Sequence, residues 1–324
     1  MNFFLSFFCL FNVIFTSLVP HTIPAANMPT GIALPTNLTG VRVLIIGGNG
    51  GIGNATAFEF YNRGASVTIT TTDRDNVDAS PFRVMKLEYG RGKRNVEKFV
   101  DRYLEHVGFP DVLVDIGLTY FTGLMMDFTR DEMEYATRMY ITDPLLLYRE
   151  FLKHNNVSKP FNISIALSTV SFGAAGSFSG LYAAGKMAKK DFVRDFALYE
   201  GPKYYPNVRI SGIACSYVDT RIVVDGYNPS ADRGDAFQIQ FVEVVTGLNS
   251  ALGLPPVTVA LAHLEAITTL TKENNSIYLV PTSPSGRVTS EILYNVYVSD
   301  NTTEFTKDNY AFYSLVGLNI SSYL

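Results

Sequence analysis

The chain has 324 residues, 47% of them hydrophobic and 17% charged, and a formal net charge of −4. That length supports one large α/β domain with an ample core, or two small ones. The acidic balance gives no sign of a nucleic-acid surface, and two cysteines, Cys9 and Cys215, exclude a disulfide framework.

Residues 3–19 (FFLSFFCLFNVIFTSLV) form an uncharged apolar run, and no Lys, Arg, Asp or Glu precedes Arg42. Residues 1–30 are therefore expected to be a signal peptide or a membrane anchor, followed by a linker over 31–40. Small residues at Ala25-Ala26 suit cleavage; Pro20 and the uncharged linker suit an anchor. No basic flank tells orientation. Either version directs the domain to the endoplasmic reticulum membrane or lumen, or to the secretory pathway. Asn-x-Ser/Thr sequons at Asn37, Asn54, Asn156, Asn162, Asn274, Asn301 and Asn319 suit a luminal glycoprotein. Asn54 and Asn162 are discounted, because the fold expected below buries or cramps them.

The apolar run Val43–Ile46 reads as a strand buried on both faces. Gly47, Gly51 and Gly53 follow at G-x-x-x-G-x-G spacing, then a helical segment Asn54–Arg63 closed by Gly64. SVTITTT is the next strand. Strand, glycine turn, helix and strand form a βαβ unit that suits dinucleotide binding, since glycines let pyrophosphate reach main-chain N–H groups at the positive end of the helix. At the end of the second strand an acidic residue would favour NAD. Thr71 and Thr72 stand there instead, with Arg74 within reach, which points to NADP in preference to NAD.

Apolar residues from Val96 to Val107 give a helical stripe over Asn95–Val107, and Asp111–Leu118 reads as another buried strand. Thr129 and Glu132 form a capping box, and Pro144 is expected to kink or split the helix that follows. Ile163–Leu167 is a strand that drops into Ser168-Thr169 and a Gly/Ser-rich loop. A helix carrying Tyr182 and Lys186 comes next, followed by strand Val208–Ala214. Four residues apart on one helix face, Lys186 could lower the phenol pKa of Tyr182. A hydroxyl opposite would complete a proton-transfer site for a carbonyl or alcohol. The same spacing recurs at Tyr89…Lys93 and Tyr199…Lys203, so position has to choose among them. The Lys186/Lys189/Lys190 cluster reads as a solvated helix face. Residues 225–255 read as a loop with a short helix over a pocket mouth, Val257–Leu270 as a helix and Ile277–Val280 as a last strand. The tail is expected to cover the site, mediate a homo-oligomer or simply pack.

Alternating strands and helices predict an α/β fold, a Rossmann-type doubly wound parallel sheet with helices on both faces. The expected catalytic domain spans 41–285, with a C-terminal extension over 286–324. No metal is expected.

This ordered set resembles the short-chain dehydrogenase/reductase family over about Val41 to Val280, as a divergent member. GGNGGIG (Gly47, Asn49, Gly51, Ile52 and Gly53 among it) resembles the family's TGxxxGxG cofactor loop, and YAAGK (Tyr182–Lys186) its YxxxK pair. CSYVDT (Cys215–Thr220) resembles its PGxxxT segment, with Thr220 retained. The resemblance implies that Tyr182 is the acid/base, that Lys186 lowers its pKa and holds the nicotinamide ribose, and that a serine orients the carbonyl. At the family's usual separation that serine falls on Thr169, with Ser168 one position earlier. Two departures stand out. DIGL (Asp115–Leu118) replaces the NNAG segment, removing amides that support the central strand, and Tyr140 replaces the asparagine of the proton relay. The implied function is an NAD(P)-dependent oxidoreductase acting on a small-molecule carbonyl or secondary alcohol, lipophilic if the membrane expectation holds (sterol, retinoid or long-chain ketone). The alternative is a non-catalytic dinucleotide-binding sensor or scaffold on the same fold.

Overall fold

Residues 36–72, 81–155, 159–172, 179–215, 218–236, 238–240, 242–243, 245–246, 253–268, 276–280 and 294–297 are described by the computed structural model of the chain. The apolar run after the linker is strand β1 (Arg42–Ile46), with Val43, Leu44, Ile45 and Ile46 all buried. Successive side chains point to opposite faces of a sheet. Leu44 and Ile46 accordingly join one core cluster, and Val43 and Ile45 the other. A strand that is apolar on both faces needs cover on both, which dictates a doubly wound fold.

The glycine turn leads into helix α1 (Gly51–Tyr61) and strand β2 (Ser66–Thr71). Strand β3 (Arg83–Lys86), helix α2 (Lys93–His106) and strand β4 (Val112–Asp115) follow, then helices α3 (Arg130–Thr137) and α4 (Asp143–His154). Strand β5 (Phe161–Ser168), helix α5 (Gly180–Asp195), strand β6 (Val208–Cys215), helix α6 (Pro256–Thr268) and strands β7 (Ser276–Val280) and β8 (Tyr294–Tyr297) complete the order. The sheet runs β3-β2-β1-β4-β5-β6-β7-β8, parallel from β3 to β7, with β8 antiparallel to β7. The doubly wound α/β expectation is met.

One face is covered by α2, α4 and α5 through Phe99, Tyr103, Leu147, Phe151 and Val193. The other is covered by α1 and α6 through Ala57, Phe60, Leu264 and Ile267. Each such aliphatic or aromatic side chain removed from water contributes about 1.5–3 kcal/mol.

Several local expectations change. β3 carries no apolar run, because it lies at the sheet edge where Arg83 and Lys86 are exposed, a common guard against edge pairing. The β4 strand stops at Asp115 rather than Leu118. Pro144 splits the helical run as expected: the chain stays helical through Thr142 and Asp143, but a π turn at Arg138–Thr142 interrupts the regular α pattern just before the proline and joins α3 to α4. The Thr129–Glu132 capping box is present. Tyr294–Tyr297, within the expected C-terminal extension, adds a strand to the sheet.

The expectations for residues 1–30, for the sequons Asn156, Asn274, Asn301 and Asn319, and for Arg74 lie outside the described residues. Asn54, expected to be cramped, is exposed on α1; Asn162 is half-buried in β5. Among the described residues no helix is long and apolar enough to cross a membrane.

Candidate active site

In a doubly wound sheet, ligands bind beyond the carboxyl ends of the strands, near the point where strand order reverses. Here that point lies between β1 and β4, and three sequence-distant segments meet around it.

The first is the turn after β1. Gly47 holds φ +76°, and a Cβ there would lie 2.7 Å from Gly117 Cα. Its N–H donates to Thr70 Oγ1 at 3.0 Å, tying the turn to β2. A Cβ on Gly53 would overlap the carbonyl oxygen of Gly47 at 2.0 Å, so glycine is what lets α1 begin directly on the turn. The first turn of α1 carries no acidic residue, and its cap, Gly50, has no side chain to occupy the N–H groups. That is a backbone cradle at a positive helix end, and it fits the pyrophosphate of a dinucleotide. Asn49 is exposed above it, and Ile52 packs on a small cluster containing Ile213, Cys215 and Val218. Thr220 stands against Gly51: a Cβ at that glycine would meet Thr220 Cγ2 at 2.7 Å. All the described cofactor-site candidates of this turn therefore share one place with Thr220.

The second segment is α5 against the end of β5. The Ser168 hydroxyl, at the end of β5, lies near enough to the Tyr182 phenol to act on its pKa; the Thr169 side chain lies outside the described residues. Burial pushes the Tyr182 phenol well up, and charge on Cys215 adds to this, while the nearby Ser168 hydroxyl opposes it. Lys186, one turn on, has its Nζ 5.6 Å from the Tyr182 ring centroid and donates to Ala166 O at 2.6 Å. Burial lowers the Lys186 ammonium to about 7, with repulsion from Lys189 in the same direction. Both charge states of Lys186 are thus accessible near neutral pH, while Tyr182 remains a phenol able to donate its proton. The other two Tyr–Lys spacings do not make such a site. Tyr89 is buried while Lys93 is exposed at the start of α2, and Tyr199 is 61% exposed.

The solvated-face reading of the lysine cluster is overturned. Lys186 and Lys189 are only 2% and 3% exposed. They lie three apart on the sheet-facing side of α5, and Lys189 pairs with Asp115 at 2.9 Å. Their spacing was a usable signal, because residues three and four apart share a helix face.

The third segment follows β4 and contains both departures from the family pattern. Asp115 accepts from Tyr148 Oη and Lys189 Nζ on Oδ2, and from Gly117 N at 3.2 Å on Oδ1. A carboxylate here supports the strand end where the family has amides. Tyr140 lies in the π turn, a geometry often found at functional sites. Its hydroxyl donates to Thr119 O at 2.6 Å and accepts from Phe121 N at 2.9 Å. Burial holds its proton firmly, well above the ordinary phenol range. Tyr140 is therefore a fixed splint for residues 119–121.

That splint sets Tyr120 edge-on to Tyr182, with ring centroids 4.8 Å apart, and Tyr120 Oη bonds Ser179 Oγ at 2.6 Å. Nothing in local sequence marks Tyr120. Two backbone hydrogen bonds, Tyr227 N to Tyr120 O at 2.7 Å and Thr122 N to Tyr227 O at 3.0 Å, pin the 221–230 loop beside it. Cys215, at the end of β6, is buried with a free thiol and paired in register with Ser168. Among the described residues no group of three or more His, Cys, Asp or Glu could hold a metal ion.

Comparison with known proteins agrees with this fold. Versicolorin reductase 1 of Dothistroma septosporum is 25% identical over 231 residues, covering 67% of this chain and 86% of the relative. Glucose and ribitol dehydrogenase homolog 2 of Arabidopsis thaliana is 28% identical over 214 residues, covering 61% and 72%. The ligand-free aldohexose dehydrogenase of Thermoplasma acidophilum shares the fold, with a TM-score of 0.61, 17% identity and coverage of 78% and 97%. A glucose/ribitol-type short-chain dehydrogenase/reductase of Brucella melitensis does so with a TM-score of 0.58, 20% identity and coverage of 77% and 98%. The family profile described as short chain dehydrogenase matches residues 41–228, more than half the chain, and the chain belongs to that family.

Proposed function

We propose that the protein is an NAD(P)-dependent oxidoreductase that interconverts a carbonyl and a secondary alcohol, with Tyr182 exchanging the proton. The observation that carries this reading is the half-buried Tyr182, with the Ser168 hydroxyl near it and Lys186 one turn later, its Nζ 5.6 Å from the tyrosine ring centroid. The glycine cradle with Thr220 would hold the dinucleotide, and the bound nicotinamide supplies or accepts the hydride.

In reduction, Ser168 orients the substrate oxygen, and Tyr182 gives that oxygen its proton as negative charge builds there. The resulting phenolate is stabilised by Lys186 in its ammonium form, an attraction that exclusion of water strengthens. Oxidation runs the same path backward. Arg74 supports NADP over NAD as the dinucleotide, and Ala166 O keeps Lys186 aimed at the strand end. Exposed Leu124, Met125, Met126, Val224 and Ile239 support a lipophilic substrate. The apolar run at residues 3–19 supports membrane attachment or secretory targeting.

The second reading, a non-catalytic dinucleotide sensor, draws on the close packing of Tyr120 and Tyr140 on Tyr182, at 4.8 and 6.0 Å between centroids. Turnover of a ketone panel with NADPH or NADH separates the two. An enzyme loses about 100-fold or more of kcat in Tyr182→Phe while dinucleotide affinity holds. A sensor is idle in both forms yet binds dinucleotide. Absence of thermal stabilisation by every dinucleotide would sink both readings, since a ligand at about 100 times its Kd adds roughly 2.7 kcal/mol.

A further inference from the structure

Lys189 lies three residues beyond Lys186 on α5 and shares its buried face. Its side chain is 3% exposed and that of its partner Asp115 is 0% exposed, with Nζ 2.9 Å from Oδ2. Asp115 terminates β4 and gathers three donors: the Lys189 ammonium, the Tyr148 hydroxyl and the Gly117 N–H. Tyr148 comes from α4, so the carboxylate joins the central strand to two helices. Burying an ion pair is costly, and apolar replacements of such pairs are often neutral or stabilising. Stability alone therefore does not explain a fully buried pair one turn from a functional lysine.

We propose that Asp115 and Lys189 are positioning residues that set the charge carried by Lys186, and through it the proton affinity of Tyr182. Lys189 shares the buried face of α5 with Lys186, and its ion pair brings the Asp115 carboxylate to that same face, so the two partners act on Lys186 with opposite sign. The pair stands at the strand end where the family's supporting amides are replaced. The groups facing Lys186 are Tyr182 and Lys189 from its own helix, Asp115 from β4, Cys215 from β6 and His263 from α6. Of these, Lys189 opposes its ammonium form, while Asp115 and charge on Cys215 favour it. Burial disfavours that form most of all. The functional half of the proposal rests on the oxidoreductase reading; the electrostatic half does not.

The test follows the Lys186 Cε resonance by NMR titration of 13C-lysine-labelled full-length protein, assigned by its loss in Lys186→Met, alongside the pH profile of kcat/KM. Asp115→Asn should move the Lys186 midpoint to lower pH, Lys189→Met to higher pH, and the double variant back toward wild type. The alkaline limb of the rate profile should move with it. A displacement of about half a pH unit changes the rate on that limb about threefold. Lys189→Gln, which keeps a donor to Asp115, gives the same sign as Lys189→Met if another variant does not fold. Midpoints that stay put in both single variants, or move in one direction in both, overturn the proposal; a purely structural pair would lower stability without opposed shifts. Opposed midpoints in a protein that reduces no carbonyl would uphold the electrostatic role and defeat the oxidoreductase reading.

Discussion

The methyl group of Thr220 rests on Gly51 so closely that a Cβ at the glycine would stand 2.7 Å from Thr220 Cγ2. Contact between the first helical residue of α1 and the segment after β6 closes the glycine turn from two sides. Gly51→Ala should push Thr220 aside and weaken NADPH binding about tenfold, or ~1.4 kcal/mol. Adding Thr220→Ser removes the offending methyl and should recover part of the loss. Fluorescence titration of NADPH against the three variants reads this directly, and no recovery in the double variant would show that the two residues act independently.

Ser168 is the described hydroxyl that acts on Tyr182. Ser168→Ala should lower kcat by about 10- to 100-fold, the worth of one buried hydrogen bond of ~1–3 kcal/mol. The same hydroxyl holds the phenol pKa down, so its loss should displace the Tyr182 titration to still higher pH. Steady-state kinetics across pH check both. A larger loss in Thr169→Val would assign the role to the neighbouring residue.

Gly185 lets α5 approach the π turn: a Cβ there would sit 2.5 Å from Tyr140 Cβ. Alanine is the better helix former by about 1 kcal/mol, but overpacking a core contact costs about 1–3 kcal/mol. Steric overlap should win, so Gly185→Ala should lower stability in urea unfolding. It should also disturb Tyr182 through Tyr140, lowering kcat. Ala184→Ser, on the exposed side of α5, serves as the surface control.

His263, fully buried on α6, bonds Ser164 Oγ through Nδ1 at 2.7 Å, and its Nε2 has no partner among the described residues. Burial, with Lys186 nearby, lowers its pKa from 6.5 to about 3. Between those two values the unfolded chain binds the extra proton and the folded chain does not. Folding stability therefore falls as pH drops through that window, and the histidine contributes no slope above it. His263→Gln should be less acid-sensitive than wild type from about pH 6.5 downward, read as the difference between their urea midpoints. Parallel midpoints across that range would show that His263 is not the acid-labile group.

Local sequence carried the parts of this protein whose physics is local. The unbroken apolar run Val43–Ile46, the glycines that follow, the Thr129–Glu132 cap and the Tyr182–Lys186 spacing were legible, because chain periodicity and backbone sterics act over a few residues. The order of these pieces was enough for the doubly wound parallel sheet. β3 was not legible: an edge strand takes its pairing from β2 and shows no apolar pattern of its own.

Position along the chain could not show that Lys189 is buried, that it pairs with an aspartate on β4, or that Tyr120 lies against Tyr182 through the hold of Tyr140. These are relationships between side chains on different elements, formed only when β4, the π turn and α5 come together. Sequence alone determined which residues have the chemistry to handle a dinucleotide and a proton. Only the tertiary structure decided which ring packs on Tyr182 and which charges surround Lys186, because burial and distance set those energies and neither is a property of the chain order.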